Sequence, residues 1–260
     1  MKSPLSMPDD LKLLHIDADT LFVMSASQRI ERVNDPDRSP GPRLFFAGCS
    51  AGNLMRVRHD VDEQIAWELV DLGANEPPLT DPWTLPRCIG KLLDVLSNSA
   101  PPAVVAASRI PMTVGAGVIY HLPNRMKYEH APSIMRGDSP EGAQMVARFE
   151  QSGMPQPMLD AGFKSVADLW EPWCAAIEGD EVASIAFAAR PGDKGAEIGV
   201  YTFPKFRSRG YAAAVTAAWS SLPSLDGRAL FYSTSRSNRS SQRVASRLGL
   251  RLIGASVNIA

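Results

Sequence analysis

Two short segments carry residue types that could handle an anion. Arg207-Ser208-Arg209-Gly210-Tyr211-Ala212 sets two guanidinium groups around a serine and follows them with a glycine. Asn238-Arg-Ser-Ser241-Gln-Arg243-Val-Ala245-Ser-Arg-Leu248-Gly249-Leu250 begins 26 residues after Ala212. A glycine where a strand turns into a helix leaves the first main-chain amides bare, and those amides attract phosphate. Gly210 would leave the space and Ala212 would keep the wall shallow. Arg207 and Arg209 would add charge. From Tyr201 to Ala260 there are nine basic residues and a single acid, Asp226. Such a surplus suits a polyanion, either nucleic acid or a phosphate-bearing cofactor. The compact glycine turn favours the cofactor. Arg239, Arg243 and Arg247, at i, i+4 and i+8, read equally well as one solvated helix stripe.

Those segments need a frame. The chain has 260 residues, a formal net charge of −1 and 45% hydrophobic residues, enough for two ordinary domains. No apolar run has the ~20 residues of a membrane span, and the N-terminus lacks a secretory pattern. Cys49, Cys88 and Cys174 are odd in number and far apart, which predicts free thiols and a cytoplasmic location. No CxxC or HxxxH spacing suggests a metal, and His15, His59, His121 and His130 read as structural.

Residues 173–203 alternate as three strands joined at Gly179-Asp180 and Pro191-Gly-Asp-Lys-Gly195, an antiparallel meander. Pro204 stops the third strand. A helix is expected from Tyr211 to Ser220, a strand over 229–234 parallel to the third, a helix over 240–248 and a last strand over 250–259. Asp138-Ser-Pro-Glu141 reads as a helix start. Nearer the N-terminus, strand-like stretches cover 13–16 and 21–24, with further strands over 43–47, 103–107 and 113–121. Helices are expected over 62–72 and 85–96. Residues 124–136 read as a polar join. The fold class is α+β with a mixed sheet. Two domains are expected: 1–125, an N-terminal α+β domain with a substrate-pocket or dimerisation role, and 126–260, which holds both anion-binding segments.

The second domain resembles the GNAT superfamily of N-acetyltransferases. Arg207, Gly210 and Ala212 match its pattern of Arg or Gln, two residues, Gly, one residue, Gly or Ala. Asn238, Ser241, Val244 and Leu248-Gly249-Leu250 match its asparagine-led helix, in the expected order. The resemblance covers roughly residues 130–260 and implies a GNAT fold there with acetyl-CoA as acyl donor; it does not extend to residues 1–120, for which a diverged second copy of the fold is one reading. It implies a cofactor site made by Val200, Tyr201, Thr202, Phe203, Arg207, Ser208, Arg209, Gly210, Tyr211, Ala212, Asn238, Ser241 and Arg243. Pantetheine would pair with the backbone of 200–203 as an added strand.

The reaction it implies is attack of an amine on a thioester. A free alkylamine has a pKa near ~10 and must lose a proton first. Glu197 is the candidate base and Glu178 the alternative. An amide near Tyr201 or Thr202 would stabilise the oxyanion. Many relatives place a general-acid tyrosine seven residues after the asparagine; here Ala245 stands there. Ser241 or Tyr232 would substitute, or the thiolate would leave unassisted. The last strand ends the chain where relatives add another, so its edge needs cover from the N-terminal domain or a second protomer, which makes a homodimer the expectation.

The expected substrate is a primary amine on a small molecule, with neither nucleic acid nor membrane as partner. The two-domain plan suggests an aminoglycoside-type antibiotic. Glu171, Glu178, Asp180, Glu181, Glu76 and Asp81 are the carboxylates that would attract it, and Trp83, Trp170 and Trp173 could stack a ring. The rivals are an acetyltransferase acting on a protein N-terminus or lysine, and a non-catalytic acyl-CoA sensor.

Overall fold

A computed structural model of the chain describes residues 9–98, 112–129 and 132–260. In chain order the elements are α1 (Asp10–Leu21), β1 (Phe22–Met24), β2 (Ile30–Val33), β3 (Leu44–Cys49), β4 (Gly52–Val57), α2 (Glu63–Ala74), α3 (Ile89–Asn98) and β5 (Val114–Leu122). There follow β6 (Ser133–Arg136), α4 (Pro140–Ser152), α5 (Gln156–Asp160), β7 (Cys174–Glu178), β8 (Glu181–Pro191) and β9 (Gly195–Thr202). The last are α6 (Tyr211–Trp219), β10 (Ala229–Ser235), α7 (Arg239–Arg247) and β11 (Arg251–Ile259). The strand expected over 103–107 and His130 lie outside the described residues.

The chain forms two compact units. One holds the chain up to His121 with Ser233–Arg239 and Arg251–Ala260; the other holds Leu122–Tyr232 and Ser240–Leu250. Neither is an unbroken stretch.

In the first unit the strand order is β4-β3-β11-β5. β11 pairs antiparallel with β3 on one side and β5 on the other. Both its edges are therefore used, and no second protomer is needed to cover it. Leu44, Phe46, Val57, Leu69, Leu92 and Val257 are fully buried together beneath α2 and α3. Burying a side chain of that size contributes about 1.5–3 kcal/mol. The stretch expected over 21–24 is strand from Phe22 as β1, whereas the strand-like stretch expected over 13–16 is taken into the helix of residues 10–21. Asp9 caps it by accepting from the Lys12 amide at 2.7 Å, and Leu13, Leu14 and Ala18 go to the core. The apolar run Leu13-Leu-His-Ile16 reads alike for strand or helix, and the cap decides. α3 begins at Ile89, four residues later than the periodicity suggests. Pro86 marks the reason, since the Ile89 amide already donates to its carbonyl in a turn.

The second unit is the meander and its helices, in the order β10-β9-β8-β7-β6. Residues 133–136, expected within a polar join, form β6 and pair with β7 from Ser133↔Ile177 to Arg136↔Cys174. α5 is likewise unanticipated, a five-residue turn opened by prolines. Strand partners share a face, which sorts the side chains. Cys174, Ala186 and Val200 are aligned across β7, β8 and β9. The Cys174 thiol donates to the Val215 carbonyl of α6 at 3.5 Å, so this face carries α6. Ala175, Ile185 and Tyr201 are aligned on the other face, where they meet Met145 and Phe149 of α4. α6 is Tyr-Ala-Ala-Ala-Val-Thr-Ala-Ala-Trp, and its small residues 213–217 are all buried. They let the helix lie close on the sheet. Trp219 closes it, fully buried, with its indole N–H donating to the Pro172 carbonyl at 2.8 Å.

Candidate functional site

β9 is held unevenly along its length. On the β8 side it pairs from Ala196 to Thr202. On the other side it pairs in parallel with β10 at only three positions: Gly195↔Ala229, Ala196↔Leu230 and Glu197↔Phe231. Beyond Glu197 that edge has no strand partner among the described residues. The Phe203 amide donates to the Ala183 carbonyl, and the Tyr201 carbonyl accepts from the Ser184 hydroxyl at 2.9 Å. Main-chain groups alternate along a strand. Those of Val200 and Thr202 therefore turn to the open edge, while those of Tyr201 and Phe203 turn to β8.

β9 leads through a 3-10 turn at Pro204–Phe206 into residues 207–210. Ser208 has φ 63° and Gly210 φ 89°, two left-handed positions in one short loop. For a serine this conformation costs about 1–2 kcal/mol, and such strain collects at ligand-binding loops. Gly210 is the N-cap of α6 and offers no side-chain cap. The first-turn amides of α6 have no carbonyl within their own helix to receive them. A Cβ on Gly210 would come within 3.2 Å of the Tyr128 hydroxyl and 3.4 Å of Arg247 Nη1. The glycine is thus the floor of a small basic cradle with Tyr128 and Arg247 as walls.

The arginines of the loop are differently placed. Arg207 is exposed and donates from Nε to the Thr202 carbonyl at 3.3 Å, at the end of the open edge. Arg209 pairs with Glu178 at 2.6 Å and lies over the Phe206 and Tyr211 rings at 5.8 and 5.4 Å. The Tyr211 hydroxyl donates to the same Glu178 carboxylate. Glu178, at the end of β7, thereby fastens the residues on either side of Gly210. Its carboxylate thus ties the end of β7 to the start of α6.

Glu197 stands where the pairing of β9 with β10 ends. It is half-buried, and by alternation it shares the α4 face with Tyr201. Gly199 lies between them without a side chain because the Phe187 ring fills that space. Tyr232 follows the last residue of β10 that pairs with β9 and is buried; its hydroxyl and the Ser241 Oγ of α7 are 2.6 Å apart. The two candidate proton donors thus form one hydrogen-bonded pair. Ala245 is fully buried, so a tyrosine there would have to displace core. Arg243 is exposed on α7 and bonds the Ser240 hydroxyl at 3.1 Å. Ala212 gives its carbonyl to Thr216 Oγ1. Asn238 is exposed and belongs to the first unit, its amide donating to Ser235 at 3.0 Å.

Other candidates are placed elsewhere. Glu76 accepts from the Arg87 and Cys88 amides at 2.7 and 2.9 Å and Asp81 from the Trp83 amide at 3.0 Å, both structural tasks in the first unit. Trp173 is core, Trp170 packs edge-on against Phe187, and Trp83 is half exposed. Burial pushes the thiols of Cys88 and Cys174 up to about 12, which keeps both protonated near neutrality and unfit as acyl carriers. Asp180 and Glu181 line a cleft of about 960 Å³ in the second unit, on the α4 face beside Tyr201 and Phe203. Tyr128, Arg247 and this cleft carry no local sequence signal. Arg247 shows in the sequence only as the end of a charged stripe, and Tyr128 lies more than 80 residues before the glycine it flanks.

No curated protein matches the chain significantly. Among solved structures, a GCN5-related N-acetyltransferase from Kribbella flavida is 14% identical over 98% of this chain and 96% of its own, with a TM-score of 0.45. An acetyltransferase of the GNAT family from Colwellia psychrerythraea is 12% identical over 96% and 95%, with a TM-score of 0.43. A GNAT-family protein from Novosphingobium aromaticivorans is 20% identical over 56% of this chain but 64% of its own, with a TM-score of 0.39. Likenesses this distant add nothing to the assignment, which rests on the sequence family. The family model described as an acetyltransferase (GNAT) domain matches residues 124–251, a span that includes the open edge of β9, the Gly210 cradle and the Tyr232–Ser241 pair. Over these residues, just under half of the chain, the protein is similar to the GNAT acetyltransferase domain.

Proposed function

We propose that the chain is an acetyl-CoA-dependent N-acetyltransferase that acetylates a primary amine of a small molecule by direct attack on the thioester. The observation that carries this reading is the three-residue register of β9 with β10, followed by an open edge that runs into an uncapped helix start flanked by arginines. When bound, acetyl-CoA supplies an acyl group on a thiol whose pKa of about 8.5 makes it a tolerable leaving group. The Gly210 cradle holds the diphosphate through the main-chain nitrogens of Ser208, Tyr211 and Ala212, with Arg207, Arg209 and Arg247 as charged neighbours. Arg243 meets the nucleotide end. Val200 and Thr202 pair with the pantetheine amides along the open edge.

Glu197 takes the proton of the attacking amine, directly or through a water. The N–C bond forms as the C–S bond breaks, and the sulfur receives its proton from the Tyr232–Ser241 pair or from solvent. The buried, unpaired thiols support a reducing compartment such as the cytoplasm. A second reading, a non-catalytic acyl-CoA sensor, is favoured by one observation, the buried Ala245 at the position where relatives keep a tyrosine.

Thiol release from acetyl-CoA across a panel of amines, with Glu197→Gln as companion, separates the two. The enzyme reading expects turnover that Glu197→Gln lowers about 100-fold or more, most severely at low pH, with coenzyme A affinity kept. Tight coenzyme A binding with no turnover on any amine decides for the sensor.

A further inference from the structure

The cleft on the α4 face has a composition that bears on the acceptor. Its volume of about 960 Å³ lies at the upper end of the range for sites that take drug-sized molecules. Met135, Met145 and Met158 line it together with Phe149, Phe203 and Phe206. Methionines adapt to apolar shapes, but neither they nor phenylalanine replace the water around a polyhydroxylated polycation. The charged groups at the cleft are few and partly used. Glu181 is held by Lys205 at 2.9 Å, and Asp160 accepts from Gln156 at 2.7 Å. Asp180 has no side-chain partner among the described residues, and Arg148 also lines the cleft. One unengaged carboxylate on a lining that also holds guanidinium and ammonium groups suits a single ammonium better than several.

The wall formed by Tyr201 and Phe203 belongs to the end of β9, the strand whose Val200 and Thr202 groups turn to the open edge. Glu197 is on this same face of the sheet. An acceptor seated in the cleft therefore approaches the donor edge from the side of the proposed base.

We infer that the cleft receives the acceptor and that the acceptor is a primary amine carried on a predominantly apolar body, aromatic or alkyl, rather than an aminoglycoside-like polycation. This rests on the acetyltransferase reading above. The test uses the full chain and the series butylamine, hexylamine, 2-phenylethylamine and 4-phenylbutylamine, with spermidine and kanamycin as polycations. KM should fall about fourfold for each methylene added until the cleft is filled, and the polycations should be the poorest substrates. Met135→Glu, at a half-buried position of the lining, should raise KM for 4-phenylbutylamine at least tenfold. Asp180→Asn, on an exposed hairpin where folding is not at risk, should raise KM of every monoamine about two- to fivefold.

Calorimetric binding of 4-phenylbutylamine is read separately from turnover, and coenzyme A binding separately from both. Amine binding that Met135→Glu abolishes, without thiol release, would leave the cleft assignment standing and remove the enzyme reading. A flat KM across the series, a preference for the polycations, or amine binding unchanged in Met135→Glu overturns the cleft assignment.

Discussion

The starts of α2 and α6 are built on opposite plans. α2 begins at Asp62, whose carboxylate accepts from the Gln64 and Ile65 amides at 2.9 and 3.3 Å, and Glu63 adds a negative charge to the first turn. Asp9 and Ser139 do the same for α1 and α4. α6 begins at a left-handed glycine, with no capping side chain, no acid in its first turn and arginines around it. A helix needs its first amides satisfied. In α2 the chain meets that need itself. In α6 a left-handed serine and glycine precede amides that no side chain caps. The contrast teaches where to test for a ligand: at the helix start that the fold leaves uncapped, with the capped one as control.

The sharpest way to break this contrast is Gly210→Glu. A side chain there enters the cradle, and its charge opposes phosphate. Coenzyme A affinity measured by calorimetry should fall at least about 100-fold, while the left-handed strain costs only about 1–2 kcal/mol of stability. Retained affinity would mean that the amides of α6 serve no anion. Arg247→Ala comes next. Losing one charged contact should weaken coenzyme A about tenfold and flatten the dependence of Kd on salt; an unchanged salt slope would remove Arg247 from the cradle. Glu178→Gln keeps the shape but loses the charge that draws in Arg209. Affinity should drop about threefold, with kcat changed no more than KM, whereas a catalytic base would lose kcat alone. Asp62→Ala is the counterpart at the completed helix. It should cost about 1 kcal/mol in denaturant unfolding and leave coenzyme A affinity where it was.

Much of this was legible in the residues. The meander from Cys174 to Thr202 declares itself through alternation and glycine turns, because each hairpin is closed by its own neighbours in sequence. The Gly210 turn is equally local. What sequence did not show depends on contacts made across the chain. Residues 13–16 read as strand because so short an apolar run has no period of its own, and the Asp9 cap starts the helix that takes them in. Residues 133–136 are strand only because Ser133–Arg136 find β7 some 40 residues on. β11 gains both its partners from the far end of the sequence. Tyr128 and Arg247 meet at Gly210 through the fold alone, and the same is true of Tyr232 and Ser241.

Glu178 has a mechanical consequence. It terminates β7, next to the tight Gly179-Asp180 hairpin, and grips Arg209 and Tyr211 at once. Through that carboxylate the hairpin and the loop around Gly210 are fastened to each other. Asp180 rides on the same hairpin and Glu181 opens β8 beside it. A displacement of Glu178 would therefore disturb an ion pair and a hydrogen bond at the start of α6 together.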